Sequence, residues 1–314
     1  MKVGVLTSGG DSPGMNTAIS EIVKIGESYH HEMIGIYRGY NGLFNKEYKK
    51  LQYQNIRHVY KLGGSILFAG RNEAMKTSEG MERAVNEIKK LGLDALIVIG
   101  GNGSITGASL LSLQGINVMA FPASIDNDIW CSDYSIGYDT CLNVVVESLD
   151  RIRDTAISHD RVHVVEVMGR NCGLIGLNSG YSSNAECILI PEEKLSISEV
   201  CEQIELNKMK GYLDQLVIVA EGYGSAIEIS KQITSLTGIK TTSTVLGQIQ
   251  RGGSPTVFDR AMARKFGFLA MEEIVRNHFN KLLVAKQTEV FSIPISYFKN
   301  KPKEINLNLL KHKG

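Results

Sequence analysis

The sequence predicts an α/β protein built of two layered α/β/α domains with mainly parallel sheets. Short, almost purely apolar runs recur along the chain, and Asp94-Ala-Leu-Ile-Val-Ile99 is the plainest of them. Runs without polar alternation suit strands covered on both faces, as parallel sheets require. Segments with apolar residues at helical spacing fall between these runs, and glycine turns close several of them. Strands alternating with helices form layers around a parallel sheet.

Taken in order, Val3 to Thr7 is a buried first strand that ends at a glycine turn. Pro13-Gly-Met-Asn16 then opens a helix carried by Ile19, Ile22, Val23 and Ile25. Met33 to Tyr37 is the second strand. Arg83 to Leu91 has helical spacing and leads into the strand Asp94 to Ile99. Gly100-Gly-Asn-Gly-Ser104 closes that strand, and Ala108, Leu110 and Leu111 mark the helix after it. Val118 to Pro122, Val162 to Met168, Cys187 to Ile190 and Leu216 to Ala220 repeat the strand pattern. Lys299 to Gly314 is basic and poorly patterned, and reads as a surface tail or terminal helix. No low-complexity linker separates two halves, so composition shows no domain boundary.

Composition excludes several classes. Lys+Arg 34 against Asp+Glu 33 leaves a net charge of +1. That balance argues against a general electrostatic grip on nucleic acid or on an anionic membrane. No apolar run approaches the roughly 20 residues that span a bilayer. Gly9-Gly10-Asp11 breaks the apolar N-terminal stretch, which is therefore no signal peptide. The 5 cysteines form no C-x-x-C pair. They suit a reduced, cytoplasmic compartment and serve as small core residues. His159 and His163 are four apart but fall in a loop-to-strand stretch, so no metal pair is expected from them.

The motifs lie at strand ends. Gly9-Gly-Asp-Ser-Pro-Gly14, Gly63-Gly-Ser65 and Gly100-Gly-Asn-Gly-Ser104 are glycine turns at expected strand-to-loop junctions. The first and third sit between a strand and a helix, the edge at which open α/β sheets bind ligands. Glycine permits close backbone approach, and a helix N-terminus favours anions. Two such turns on one edge point to a nucleotide or phosphosugar. There is no Walker A lysine pattern and no G-x-G-x-x-G. Asp126 and Asp128 stand two apart in an extended segment and so share a side. Beside phosphate loops, one can orient or deprotonate a hydroxyl while the other helps hold magnesium; taken alone, Ser-Ile-Asp-Asn-Asp reads as an Asx-rich turn. Arg71, Arg161, Arg170 and Arg251 stand at expected loops or strand ends, where a guanidinium suits bidentate phosphate contact. Glu221 ends a strand, where its carboxylate can bond sugar hydroxyls.

Together these motifs resemble the ATP-dependent 6-phosphofructokinase family of bacterial type. The matching segments are LTSGGDSPGMN (6–16), GIYRGYNGL (35–43), GGNGS (100–104), PASIDND (122–128), VVEVMGR (164–170) and VLGQIQRGGSP (245–255). The resemblance implies a phosphofructokinase-like fold. A larger nucleotide-binding domain would span 1–137 plus 250–304. A smaller sugar-phosphate-binding domain would span 138–249 plus 305–314. It implies a glycolytic kinase that transfers phosphate from ATP to the 1-hydroxyl of fructose 6-phosphate, with Mg2+. It also implies a cytoplasmic homotetramer with sites shared between subunits.

Residue by residue, Asp126 matches the catalytic base and Asp128 its partner near magnesium. Ser124 keeps the hydroxyl of a threonine found in many members. Arg71 and the backbone of Gly10 match groups that stabilise the transferred phosphoryl. Tyr40, Lys76, Gly101, Asn102, Gly103 and Ser104 fall in the nucleotide segments. Met168, Gly169, Arg170 and Glu221 match sugar contacts. Arg161 matches an arginine that reaches the sugar phosphate of a neighbouring subunit, and Arg251 one from the same subunit. Gly103 and Ala123 stand where pyrophosphate-dependent relatives carry Asp and Lys. Small residues there leave room for a nucleotide, which favours ATP.

The sequence departs from the family's pattern at four places. Asn102 replaces a magnesium-associated aspartate, which predicts weaker magnesium binding because a hard cation prefers carboxylate. Thr242 and Gln248 replace an arginine and a histidine around the sugar 6-phosphate. Each lost charge-assisted bond costs about 1.5–3 kcal/mol, which predicts a high KM for fructose 6-phosphate or a different sugar. The effector pocket keeps Arg153, Glu186 and Lys210 but has Ser20, Lys24, Tyr53 and Tyr212 at its other cationic positions. Two alternatives follow: a kinase for another sugar or sugar phosphate, or a catalytically silent, ligand-binding regulatory subunit.

Overall fold

A computed structural model describes residues 1–193 and 195–311, so 312–314 of the expected terminal tail and smaller domain lie outside the described residues. The strands are β1 (Lys2–Ser8), β2 (Glu32–Ile36), β3 (Tyr48–Lys50), β4 (Ala95–Gly100), β5 (Val118–Pro122), β6 (Val162–Val167), β7 (Cys187–Leu189), β8 (Gln215–Ala220), β9 (Thr241–Val245), β10 (Lys281–Lys286) and β11 (Glu289–Pro294). The helices are α1 (Met15–Ser28), α2 (Asn41–Asn45), α3 (Tyr53–Ile56), α4 (Ser78–Leu91), α5 (Asn102–Leu113), α6 (Tyr138–His159), α7 (Leu174–Ser182), α8 (Ile197–Met209), α9 (Ala226–Thr237), α10 (Val257–Val275) and α11 (Asn308–Lys311). Two compact units result: Met1–Thr140 with Arg251–Lys301, and Cys141–Gln250 with the stretch from Pro302 onward.

The first unit is organised on a seven-stranded sheet of order β11-β10-β5-β4-β1-β2-β3. Its inner strands are parallel, and β3 and β11 close the edges antiparallel. Every residue of β4 and β5 is buried, as their apolar runs require. α10 packs on this sheet through Phe266, whose ring stacks on Phe121 of β5 at 5.4 Å and 12°. Both rings are fully buried.

The second unit holds a four-stranded, all-parallel sheet of order β7-β8-β6-β9. Val162, Val164, Val217 and Val219 form a core with Val200 and Ile204 of α8 and Ile229 and Ile233 of α9. α8 begins in a capping box, with Ser196 and Glu199 satisfying each other's backbone N–H groups.

Strands β3, β9, β10 and β11 are additional to the expected ones. β3 is the exposed Tyr-Lys-Lys, and β9 is the edge segment Thr-Thr-Ser-Thr-Val. Neither carries an apolar run. His159 is helical rather than in a loop: it is the last residue of α6, and its Nδ1 lies 2.9 Å from the Thr155 carbonyl. Gly63-Gly64 follows no strand; a turn of 3-10 helix, Val59–Lys61, precedes it. No helix among the described residues is long and apolar enough to cross a membrane.

Phe266→Ala empties the space that holds α10 on the sheet. It should lower the free energy of unfolding by about 3–5 kcal/mol, read from the urea midpoint at constant m-value.

Candidate active site

In the first sheet β1 and β4 are parallel neighbours, with Ser8 opposite Gly100. β2 lies on one side of this pair and β5 on the other. The strand order therefore reverses between β1 and β4, and the loops leaving their carboxyl ends diverge, which opens a ligand-binding crevice. Each loop runs directly into a helix. α1 starts after Gly14 and α5 after Gly101, neither with a side-chain cap. α4 and α10, by contrast, are capped by Thr77 and Thr256. The free N–H groups of α1 and α5 remain for an anion. A Cβ on Gly103 would meet nothing within 4 Å, so space is open above the first turn of α5.

The carboxylate loop 122–128 is tied to this edge by its backbone. Ala123 N–H donates to Gly100 O at 3.1 Å, and Ser124 N–H to Ile136 O at 3.1 Å. Ser124, Asp126 and Asp128 are half-buried and alternate with buried Ala123, Ile125 and Asn127. Ile125 and Asp126 form a turn, with Asn127 N–H donating to Ser124 O at 3.4 Å, so the segment is not the extended one expected from the spacing. Asn127 takes a left-handed φ of 50° and donates its amide to Asp133 O at 3.0 Å, which holds the turn. Asp126 N–H donates to Ser124 Oγ at 3.3 Å, and the Ser124 hydroxyl to Asp128 Oδ1 at 3.4 Å.

Asn102, in the first turn of α5, donates its amide to Asp128 Oδ2 at 2.8 Å. That bond dictates the amide's orientation, because only its nitrogen can face a carboxylate. Its Oδ1 is left buried with no hydrogen-bond partner. A buried carbonyl oxygen beside a single carboxylate fits a magnesium ion that takes its remaining ligands from substrate phosphates and water. Among the described residues no group of three or more His, Cys, Asp or Glu could hold a metal without that help.

Several expected residues sit differently. Arg251 has a partner within the first unit: its Nε lies 3.3 Å from Asp11 Oδ1, and its Nη2 donates to Asp11 O at 2.9 Å. Its guanidinium fills the space a side chain at Gly10 would need, 1.8 Å from the ideal Cβ. Gly10 and Arg251 are therefore brought together on the first glycine loop. Tyr40 is only 3 % exposed and donates its hydroxyl to Ser104 O at 2.9 Å. It supports α5 from within the core, and burial pushes its hydroxyl pKa far up. Lys76 is exposed and paired with Glu73 at 2.6 Å. Arg71 is exposed at the same sheet edge, with no carboxylate of the described residues within ion-pairing distance. Two further residues, both inside the segment 6–16, have roles that the sequence alone does not assign. Asp11 holds Arg251. Asn16, buried in α1, bonds Leu62 O, Gly63 O and Ile66 N–H and so anchors the Gly63-Gly64 turn.

The second unit gathers Met168, Gly169, Arg170 and Glu221 at the carboxyl ends of β6 and β8. Val167 pairs with Ala220, and Glu221 N–H donates to Val167 O at 2.9 Å. Arg170 Nε is 4.0 Å from Glu221 Oε1. Met168 N–H donates to the side chain of buried Gln250 at 3.1 Å, while Gln248 is exposed. Arg161 is half-buried just before β6, and Thr242 lies on edge strand β9. Arg153 is bound to Asp214 at 2.6 Å and lies 3.6 Å from Glu186. Burial pushes the Glu186 carboxyl pKa up, against the pull of a backbone N–H and Arg153. Lys210 is exposed there; Lys24, on α1 in the first unit, is 3.8 Å from Glu21.

Comparison with known proteins extends these findings. A family model described as phosphofructokinase matches residues 2–274. The ATP-dependent 6-phosphofructokinase of Clostridium botulinum strain Loch Maree is 45% identical over 293 residues, covering 93% of this chain and 92% of the relative. That of Alkaliphilus metalliredigens is likewise 45% identical over 293 residues, covering 93% of this chain and 92% of the relative. Among solved structures, phosphofructokinase from Saccharomyces cerevisiae superposes with a TM-score of 0.87 at 32% identity, covering 94% of this chain and 45% of the yeast chain. This chain therefore spans less than half of the yeast chain.

The Asn102–Asp128 contact yields a prediction that does not depend on turnover. Asn102→Asp replaces an amide–carboxylate bond by two facing carboxylates, a repulsion that only a cation relieves. The variant should melt about 2–4 °C below the parent without divalent cation, as expected for roughly 1 kcal/mol in a protein of this size. Magnesium should restore the lost degrees in the variant and move the parent much less, as read by differential scanning calorimetry.

Proposed function

The chain belongs to the phosphofructokinase family, and from that premise we propose that it phosphorylates the 1-hydroxyl of fructose 6-phosphate with ATP. The observation that carries the reading is the carboxylate loop seated beside two uncapped helix N-termini at the reversal point of the first sheet. That arrangement sets a base next to a cradle for phosphates, which is what phosphoryl transfer needs.

Asp126 is the base that takes the proton from the sugar 1-hydroxyl as its oxygen bonds to the γ-phosphorus and ADP leaves. Ser124 orients the loop by accepting the Asp126 N–H. The backbone N–H of Gly10 and the Arg71 guanidinium stabilise charge on the transferred phosphoryl. Gly101, Gly103 and Ser104 present the first turn of α5 to the nucleotide. Asp128 and the Asn102 oxygen would hold magnesium, which when bound would supply charge neutralisation at the nucleotide's phosphates. The small Gly103 leaves room for ATP rather than pyrophosphate. Met168, Gly169, Arg170 and Glu221 bind the sugar, and Arg161 reaches the sugar phosphate of a neighbouring subunit in a homotetramer. The enzyme works in the cytoplasm. Arg153 is already engaged by Asp214 and Glu186, so an anionic effector has to compete with two carboxylates to use it.

A second acceptor sugar is favoured by one specific observation. Arg251, the one arginine assigned to the sugar phosphate from the same subunit, is held by Asp11. Thr242 and Gln248 add no charge, so the 6-phosphate has fewer cations than the family pattern supplies.

Asp126→Asn removes the base and leaves the phosphate cradle intact. The expected result is a kcat lower by about 10²–10⁴-fold with ATP affinity unchanged by calorimetric titration. Retained turnover would remove Asp126 from the mechanism.

A further inference from the structure

We propose that Asp259, which no ligand can reach, is a positioning residue that sets the carboxylate loop and the first glycine loop in register. Asp259 stands in the first turn of α10 and is 0 % exposed. Its Oδ1 accepts the Tyr134 hydroxyl at 2.6 Å and Gly137 N–H at 2.6 Å. Its Oδ2 accepts Thr140 N–H at 2.8 Å and the Thr140 hydroxyl. The direction of these bonds is fixed from outside. The Tyr134 oxygen already accepts Asp139 N–H at 3.0 Å, and the Thr140 oxygen accepts Thr256 N–H at 3.1 Å. Both hydroxyl protons therefore point at Asp259, and each carboxylate oxygen receives one backbone N–H and one hydroxyl.

The segment so gripped, Tyr134 to Thr140, is a wedge between two active-site loops. On one side Ile136 pairs with Ala123: Ser124 N–H donates to Ile136 O at 3.1 Å, and Ile136 N–H donates to Pro122 O at 3.1 Å. On the other side the wedge meets the first glycine loop. A Cβ on Gly137 would lie 2.5 Å from Ser12 Cβ, and one on Gly14 would lie 2.6 Å from Ile136 Cγ2. Displacing the wedge thus moves both Asp126, through Ser124, and the start of α1. Burial raises the Asp259 carboxyl pKa, and the bonds from Thr140, Tyr134 and Gly137 oppose that rise.

Only an acceptor on both oxygens suits this site. Asp259→Asn turns an NH2 toward a backbone N–H whichever way the amide lies. This proposal rests on the reading of Asp126 as base, so Asp126→Asn is assayed alongside. Thr140→Val removes one donor to Asp259 and the acceptor of the Thr256 N–H while keeping the shape, and Thr140→Ser restores the hydroxyl. The readouts are kcat, the KM for ATP and for fructose 6-phosphate, and the melting temperature. Misplacing a reacting group by about 1 Å costs on the order of 10²-fold in rate. Asp259→Asn should approach that loss in kcat, and Thr140→Val should lose about a tenth of that factor, on the order of 10-fold. Both should leave the two KM values near the parent's, and Thr140→Ser should recover kcat. A Thr140→Val enzyme that melts lower but keeps the parent kcat would show that the network is structural only, and would overturn the proposal even if Asp259→Asn does not fold. A loss confined to KM, or no recovery in Thr140→Ser, would overturn it as well. An active Asp126→Asn enzyme would instead remove the base reading, and this proposal with it.

Discussion

The parallel pairing of β1 with β4 is the constraint on which the rest of the first unit depends. Both strands are fully buried over most of their length, so their register is set by the core and not by the loops. Ser8 and Gly100 end side by side. Because β2 and β5 lie on opposite sides of the pair, the chain must leave the two ends in different directions. The helix N-termini that follow then face one crevice. Glycine is needed at position 10, where the Arg251 guanidinium occupies the space of a Cβ. The remaining contacts hold this arrangement: Asn16 anchors the Gly63 turn, Tyr40 supports α5, and Asp259 grips the wedge behind the carboxylate loop.

Whatever depended on short-range pattern was legible in the sequence. β1, β4 and β5 are apolar runs with glycine or proline at their ends, and they form at their expected positions. The segment Ser124 to Asp128 departs from its extended reading, because Ile125 and Asp126 turn and Asn127 takes a left-handed φ of 50°. What was not legible depended on partners far away in the chain. The pairing of Arg251 with Asp11, 240 residues earlier, is not visible in its motif. Tyr40 reads as a nucleotide contact because its segment flanks the site, yet its ring lies in the core. Asp259 sits in an ordinary first-turn position, where an aspartate commonly serves the helix dipole. Its four donors come from 119 to 125 residues upstream. Edge strands β3 and β9 escaped because a half-exposed strand needs no apolar run.

The substitution at Asn102 changes the electrostatics of the loop more than its shape. An aspartate there would face Asp128 as a second negative charge and would require a cation between them. The amide instead satisfies one Asp128 oxygen and keeps a carbonyl oxygen in reserve. One oxygen of Asp128 is thus hydrogen-bonded by the protein itself, with its charge unchanged. This favours a preformed site that depends less on metal for its order, at the expense of metal affinity.

The proposed reaction is the transfer of phosphate from ATP to the 1-hydroxyl of fructose 6-phosphate. Phosphorus NMR of the products tests it most directly, with ATP and magnesium supplied alongside fructose 6-phosphate, and other sugar phosphates in parallel. ADP and fructose 1,6-bisphosphate should form, with no bisphosphate when pyrophosphate replaces ATP. Ligand binding without any bisphosphate from fructose 6-phosphate, or faster turnover of a different sugar phosphate, would contradict it.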